Sequence, residues 1–213
     1  MVHKNALIVV DVQNDFITGG SLAVPEGGEA IIPIINKLLE LPFDCKVATQ
    51  DWHPPGHCSF ASTWKKNVRE KIILEDVEQI LWPDHCIQNT HGAAFSSTLN
   101  TRHVEHVVHK GTDVNVDSYS TFFDNKKLRS TGLERYLKEK DVSTLFFAGL
   151  TTEYCVFYSV LDAFELGFVP VVVSDAIQGI DPADAAKAIR VMKDLNVKFM
   201  TSQEVEKQLL KSA

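Results

Sequence analysis

The chain of 213 residues carries 28 acidic and 21 basic side chains, a formal net charge of -7, and 45% of its residues are hydrophobic. That length supports one domain, 1–213, with a large buried core. The acidic balance excludes nucleic acid as the main partner, because phosphate binding needs a basic face. No run approaches the roughly 18 apolar residues of a membrane span, so no membrane partner is expected.

Met1-Val-His-Lys leads directly into Ala-Leu-Ile-Val-Val without a signal-peptide pattern, and the C-terminal Lys-Ser-Ala differs from a peroxisomal address. The four cysteines, Cys45, Cys58, Cys86 and Cys155, form no C-x-x-C pair and read as reduced thiols. The expectation is a cytoplasmic protein, and a homo-oligomer is compatible with it.

Residues 6–10 predict a fully buried first strand. In 29–41, Ile31, Ile32, Ile35, Leu38 and Leu39 recur at helical spacing. Residues 45–49 predict a second strand. The polar, aromatic, proline-containing stretch from 51 to about 78 predicts an insertion that carries function rather than a linker. Residues 104–109 predict a third strand, 133–140 an amphipathic helix and 144–149 a fourth strand. A helix over 156–166 stops at Gly167, and 169–173 is again a buried strand. Residues 182–195 form a helix with Asp181 as its cap and Pro182 in its first turn. A last strand over 197–200 precedes a closing helix over 203–211, capped by Ser202. Six strands alternating with helices argue for an α/β fold, a three-layer α/β/α arrangement with a six-stranded, mainly parallel sheet covered on both faces.

In such sheets ligands bind beyond the carboxyl ends of the strands. Asp11 follows the first strand, Asp51 the second and Lys110 ends the third, and the fourth leads through Gly149-Leu-Thr-Thr-Glu-Tyr to Cys155. A carboxylate after a strand is usually a cap or a solvated loop residue, but four reactive types at four strand ends are hard to obtain by chance. Cys155 at a helix start is favoured as thiolate by the helix dipole, and the turn before it leaves backbone N–H groups for a developing oxyanion. The plain alternative is a small buried hydrophobe. Asp11 follows four apolar residues, so its carboxylate needs a partner or a raised pKa. Lys110 supplies the positive charge, either as a catalytic group or as half of a structural ion pair.

Asp51 and His53 lie two apart and share one face of an extended segment. His85 sits in the loop Leu81-Trp-Pro-Asp-His-Cys86. One carboxylate with two imidazoles suits a divalent transition metal, zinc first, with iron or manganese as alternatives. His57 is a candidate ligand beside these three, Cys58 and Cys86 are lesser ones, and His103, His106 and His109 read as ordinary strand or surface residues.

Together, Asp11-Val-Gln-Asn-Asp-Phe16, Asp51-Trp-His-Pro-Pro-Gly-His-Cys-Ser-Phe-Ala61, Trp82-Pro-Asp-His-Cys86, Lys110-Gly111, Asp117-Ser-Tyr-Ser-Thr-Phe122 and Gly149-Leu-Thr-Thr-Glu-Tyr-Cys155 resemble the nicotinamidase branch of the isochorismatase-like cysteine hydrolases over the whole chain. The resemblance implies that nicotinamide and water become nicotinate and ammonia. It implies Cys155 as nucleophile, Asp11 as general base and acid and Lys110 as third catalytic member. It makes Asp51, His53 and His85 the metal ligands, and the Thr151 and Cys155 N–H groups an oxyanion hole behind a cis Leu150–Thr151 peptide. Phe16, Trp82, Tyr119 and Tyr154 become aromatic walls for a flat ring, although Phe16 or Tyr154 would also serve as core packing. Leu150 stands where relatives often have Val or Ala.

Other readings fit parts of the pattern. One is a metal-hydroxide amidase with a structural Cys155. Another is a hydrolase of a different small amide, such as a carbamoyl compound. A binding protein that kept the fold would show a damaged triad, and here every member is present.

Overall fold

Lys4–Val10 forms β1, and Ala6 to Val10 are buried on both faces. An apolar run with no polar side has nothing to turn to water, so helices must cover both faces. Leu7 and Val9 pack into one core, Ala6, Ile8 and Val10 into the other. A computed structural model describes residues 4–25 and 27–212. The first three residues, on which the expectation of no signal-peptide pattern partly rests, and the final alanine of Lys-Ser-Ala lie outside the described residues, as do the ends of the expected 1–213 domain.

The other elements follow in order. α1 is Ile32–Glu40, entered through a 3-10 turn at Gly28–Ile31, and β2 is Cys45–Asp51. The segment after β2 holds the short helix α2, Ala61–Trp64, and a hairpin of β3, Lys71–Leu74, and β4, Val77–Ile80. β5 is His106–Lys110, α3 Leu133–Glu139, β6 Val142–Leu150 and α4 Phe157–Glu165. β7 is Val169–Gln178, α5 Pro182–Asp194, β8 Lys198–Met200 and α6 Ser202–Ser212. The six-stranded sheet runs β5-β2-β1-β6-β7-β8, and every pairing in it is parallel. Among the described residues no helix is long and apolar enough to cross a membrane.

Several boundaries differ from expectation. β5 begins at His106 rather than 104, because Thr101–His103 forms a 3-10 turn whose Thr101 carbonyl accepts from Val104 N. β7 runs on past Val173, since its exposed Ser174 and Asp175 break the apolar run without breaking the strand. α6 is capped by Thr201, not Ser202. The Thr201 hydroxyl accepts from Glu204 N while the Glu204 carboxylate accepts from Thr201 N, a capping box. Ser202 instead donates from N and Oγ to Asp175. The β3–β4 hairpin was not expected. Its turn residues Glu75 and Asp76 have φ of 45° and 71°, whereas the usual sequence signal for such a turn is Asn-Gly or Asp-Gly.

Candidate active site

The carboxyl ends of β5, β2, β1 and β6 lie side by side, with Asp51 level with Lys110 and Val10 level with Gly149. This edge gathers the side chains that the sequence placed after four strands. Asp11 leaves β1 with φ 48°, a left-handed turn that ends the strand. Its Oδ1 accepts from Thr49 Oγ1 at 2.5 Å, and its backbone N donates to the same hydroxyl at 3.2 Å.

Lys110 is the centre of the cluster and is fully buried. Its Nζ lies 2.9 Å from Asp11 Oδ2 and 3.3 Å from Cys155 Sγ, and donates to Ser118 O at 3.0 Å and to Asp51 Oδ1. Asp11 Oδ2 meets Lys110 off the hydrogen-bond axis and takes no hydrogen bond within the described protein. It is thus an acceptor beside the thiol with spare capacity.

Cys155 sits in a π-helical turn, Thr152–Val156, that feeds α4, not at the first turn of an α-helix. Such turns are rare and recur at functional sites. The Leu150–Thr151 peptide before it is cis.

One cation shared among two carboxylates and a thiol sets the ionisation. Burial pushes the Lys110 ammonium down, but Asp11, Asp51 and Cys155 outweigh it and hold it well above its usual value. Burial and the Asp51 charge raise the Asp11 carboxyl against the pull of Lys110 and Thr49. Burial also pushes Asp51 up, yet Lys110, His53 and the hydrogen bonds from His53 and His85 bring it well below the carboxylate range. The Cys155 thiol is driven well up by burial, Lys110 notwithstanding, with Asp11 and Asp51 adding to the rise. At neutral pH Cys155 therefore rests as a thiol, beside the Asp11 carboxyl group.

The other Asp51 oxygen faces outward. Asp51 Oδ2 lies 3.7 Å from His53 Nε2 and 3.8 Å from His85 Nε2, and one atom from each of the three residues falls within a common 4.8 Å. His53 Nδ1 lies 2.9 Å from Gly111 O and His85 Nδ1 2.8 Å from Pro83 O. A carbonyl can only accept, so both rings donate from Nδ1 and turn Nε2 toward Asp51 Oδ2. That arrangement is the outer support expected of metal-binding imidazoles. A Cβ at Gly111 would lie 2.4 Å from His53 Cε1, so only glycine lets the ring reach its carbonyl. His57 stacks on His53 with centroids 4.1 Å apart. Its nitrogens face Ser59 Oγ at 2.7 Å and Val116 O at 3.4 Å, and burial lowers it to about 4. It groups with His53 and Asp117 rather than with Asp51 and His85, and neither Cys58 nor Cys86 joins a ligand group among the described residues.

Beside the thiol, Asp51 and His85 lies a cavity lined by Phe16, Leu22, Asp51, Trp82, His85, Asp117, Tyr119, Thr151, Tyr154, Cys155 and Ile180. All four expected aromatics are present. Trp82 meets Tyr154 edge to face at 4.9 Å and donates from Nε1 to Tyr119 Oη at 3.1 Å, and Phe16 meets the His85 ring at 5.8 Å. Leu22, Asp117 and Ile180 were not expected, and neither was Thr49. Alternation along β2 could have found Thr49, two residues before Asp51; Leu22 and Ile180 lie in loops without periodicity.

A family model described as the isochorismatase domain matches residues 5–204. The nicotinamidase of Escherichia coli is 39% identical over 206 residues, covering 94% of this chain and 96% of its own. Among solved structures, a nicotinamidase/pyrazinamidase of Acinetobacter baumanii superposes with a TM-score of 0.92 at 40% identity, covering 96% of this chain and 99% of its own. The pyrazinamidase of Pyrococcus horikoshii, solved in complex with zinc, superposes with a TM-score of 0.77 at 35% identity, covering 93% and 99%.

Proposed function

The chain belongs to the isochorismatase family, in its nicotinamidase branch, and on that premise we propose that it hydrolyses nicotinamide to nicotinate and ammonia through a thioester on Cys155. The carrying observation is the Lys110 ammonium within 2.9 Å of Asp11 Oδ2 and 3.3 Å of Cys155 Sγ. It gives one buried cluster a nucleophile, a proton acceptor and a counter-charge.

Nicotinamide enters between Phe16, Trp82, Tyr119 and Tyr154. The Cys155 thiol gives its proton to Asp11 as sulfur bonds to the amide carbon, because a thiol raised by burial is protonated at rest. The Thr151 and Cys155 N–H groups stabilise the oxyanion. The carbon–nitrogen bond breaks, and the Asp11 proton passes to the departing ammonia. Water then adds to the thioester as Asp11 takes its proton, the carbon–sulfur bond breaks, and that proton returns to Cys155. Lys110 offsets the negative charge as it moves between Asp11 and sulfur.

Asp51, His53 and His85 fit one divalent transition metal, since a carboxylate oxygen and two Nε2 atoms, each aimed by its ring's Nδ1 bond, converge and would offer lone pairs once deprotonated. Zinc leads and iron or manganese are alternatives. Such a metal supplies a Lewis-acidic position suited to a pyridine ring nitrogen. The free state of all four cysteines supports a reducing compartment, the cytoplasm.

The test is ammonia release from a panel of small amides, with mass analysis of the quenched enzyme. Turnover of nicotinamide with a nicotinoyl adduct on Cys155 is expected. Preference for a carbamoyl compound, or turnover without any Cys155 dependence, would overturn the reading.

A further inference from the structure

We infer that Gln13 is a positioning residue that holds Asp51, and through it the metal cradle, in place. Gln13 belongs to the opening motif but has no part in the chemistry above. Its side chain is fully buried. Oε1 accepts from Asp51 N at 2.9 Å, and Nε2 donates to Asp51 O at 2.8 Å and to Ala93 O at 2.8 Å.

The backbone explains why these bonds are needed. The β1–β2 ladder runs from Ala6–Cys45 to Val9–Ala48 and stops, because β1 turns away at Asp11. Asp51, three residues beyond Ala48, has Lys110 beside it on β5. Its own N–H and C=O, however, both point to the side that β1 has vacated. The primary amide of Gln13 carries one acceptor and two donors. It therefore stands in for a missing peptide group and extends the ladder to Asp51. Its second donor ties the same point to Ala93 O, in the loop that follows His85.

This fixes the main chain of the one residue that serves both halves of the site. Asp51 Oδ1 holds Lys110, and Asp51 Oδ2 faces the Nε2 atoms of His53 and His85. Outer partners of this kind, when removed, usually cost about 10- to 100-fold in metal affinity. Asp51 would rotate or shift without the clamp, loosening the cradle while the three ligating side chains remain present.

The inference rests on the cradle binding a metal, so the experiment separates the two. Zinc affinity of the full chain is measured by chelator competition for the natural protein, Gln13→Leu, Asp51→Asn, His85→Ala and the double variant Gln13→Leu/Asp51→Asn. Gln13→Leu is expected to weaken zinc at least about tenfold and to add nothing in the Asp51→Asn background. Gln13→Glu keeps the shape, loses both donors and provides the same measurement if the leucine variant fails to fold. Zinc affinity within about twofold of the natural protein, even with a lowered melting temperature, would make Gln13 a mere fold-holding residue and overturn the inference. Zinc binding unchanged in Asp51→Asn and His85→Ala would remove the cradle reading itself.

Discussion

The two halves of the site share Asp51 and are built in different ways. Asp11 and Lys110 stand at the ends of parallel strands, and Cys155 follows a third by a single turn, so the hydrogen-bond ladder of the sheet sets their spacing. The proposed metal cradle takes only Asp51 from a strand. His53 and His85 come from irregular chain and are aimed by single bonds to Gly111 O and Pro83 O. Strand-end chemistry is fixed by backbone that the core already pays for, while loop chemistry needs side-chain clamps. The triad should therefore fail only when its own atoms are removed, and the cradle should be sensitive to partners that never touch a ligand.

The largest expected effect is on the triad side. Cys155→Ala removes the nucleophile and is expected to lower kcat/KM for nicotinamide by at least about 10⁴-fold. Its circular dichroism and zinc content should match the natural protein. Comparable turnover in that variant would favour the metal-hydroxide amidase instead.

Lys110→Met tests how far the halves depend on one charge. It leaves Asp11 and Asp51 buried without their shared cation, and breaking a buried pair typically costs about 3–5 kcal/mol. Denaturant unfolding of the metal-free protein measures this. Acid titration then tells the carboxylates apart. Asp51 is depressed in the folded state, so its contribution to stability is present above its unfolded value of about 3.9 and is lost as pH falls through the lower folded value. Asp11 is raised, so its contribution is present below about 3.9 and is lost as pH rises through the raised folded value. Below about pH 4, Asp51→Asn should flatten the acid loss of stability; Asp11→Asn should instead act above about pH 4, where it removes the stability that Asp11 gains on acidification and so steepens the net acid loss. Identical slopes in the two variants would contradict the opposed shifts.

How much of this could be read from the sequence follows the same division. Asp11 was legible because it follows an apolar run that marks a buried strand, and Lys110 and Cys155 because each lies at or just past the end of another predicted strand, and the ends of parallel strands meet at one edge. The π-helical turn around Cys155 was not legible, because its five residues carry no periodic signal distinct from an α-helix. Asp51 and His53 could be paired by extended spacing, but choosing His85 over His57 needed the family resemblance. The spatial reason is visible only in the fold: the His53 backbone pairs with the chain next to His85, through Cys86 O to His53 N and His53 O to Gln88 N. Gln13 escaped notice because a glutamine two residues past a strand has no distinctive pattern until the vacated side of Asp51 is seen.

Substrate choice links the halves across the cavity. Cys155 lines the cavity together with Asp51 and His85 of the proposed cradle, so a flat ring bound there can offer its amide to Cys155 and its ring nitrogen to the cradle. Benzamide matches the shape and the amide but has no ring nitrogen. A site that pairs a substrate atom rejects the analogue lacking it, because the site's own polar group is left unmatched. With the zinc-loaded protein, kcat/KM for benzamide is expected to be at least about a hundredfold lower than for nicotinamide, about 3 kcal/mol of transition-state stabilisation. Values within a few fold of each other would mean that the cradle does not read the ring.

The smallest expected effect distinguishes two histidines four positions apart. His53 and His57 are both buried and stack face to face, so neither burial nor proximity decides which one binds a metal. Orientation does. His53 donates from Nδ1 to Gly111 O and turns Nε2 toward Asp51, whereas both His57 nitrogens face protein atoms, Ser59 Oγ and Val116 O. Removing His57 therefore takes away a stacking partner and its hydrogen bonds with Ser59 and Val116, interactions that typically contribute about 1 kcal/mol each to stability. No ligand is lost. We expect His57→Ala to melt a few degrees lower and to keep zinc affinity within about threefold, while His85→Ala loses a first ligand and falls well beyond the 10- to 100-fold typical of outer partners. Chelator competition on the two variants side by side measures the gap. Equal losses would make His57 a fourth ligand and would require its ring to turn away from Ser59 when the metal binds.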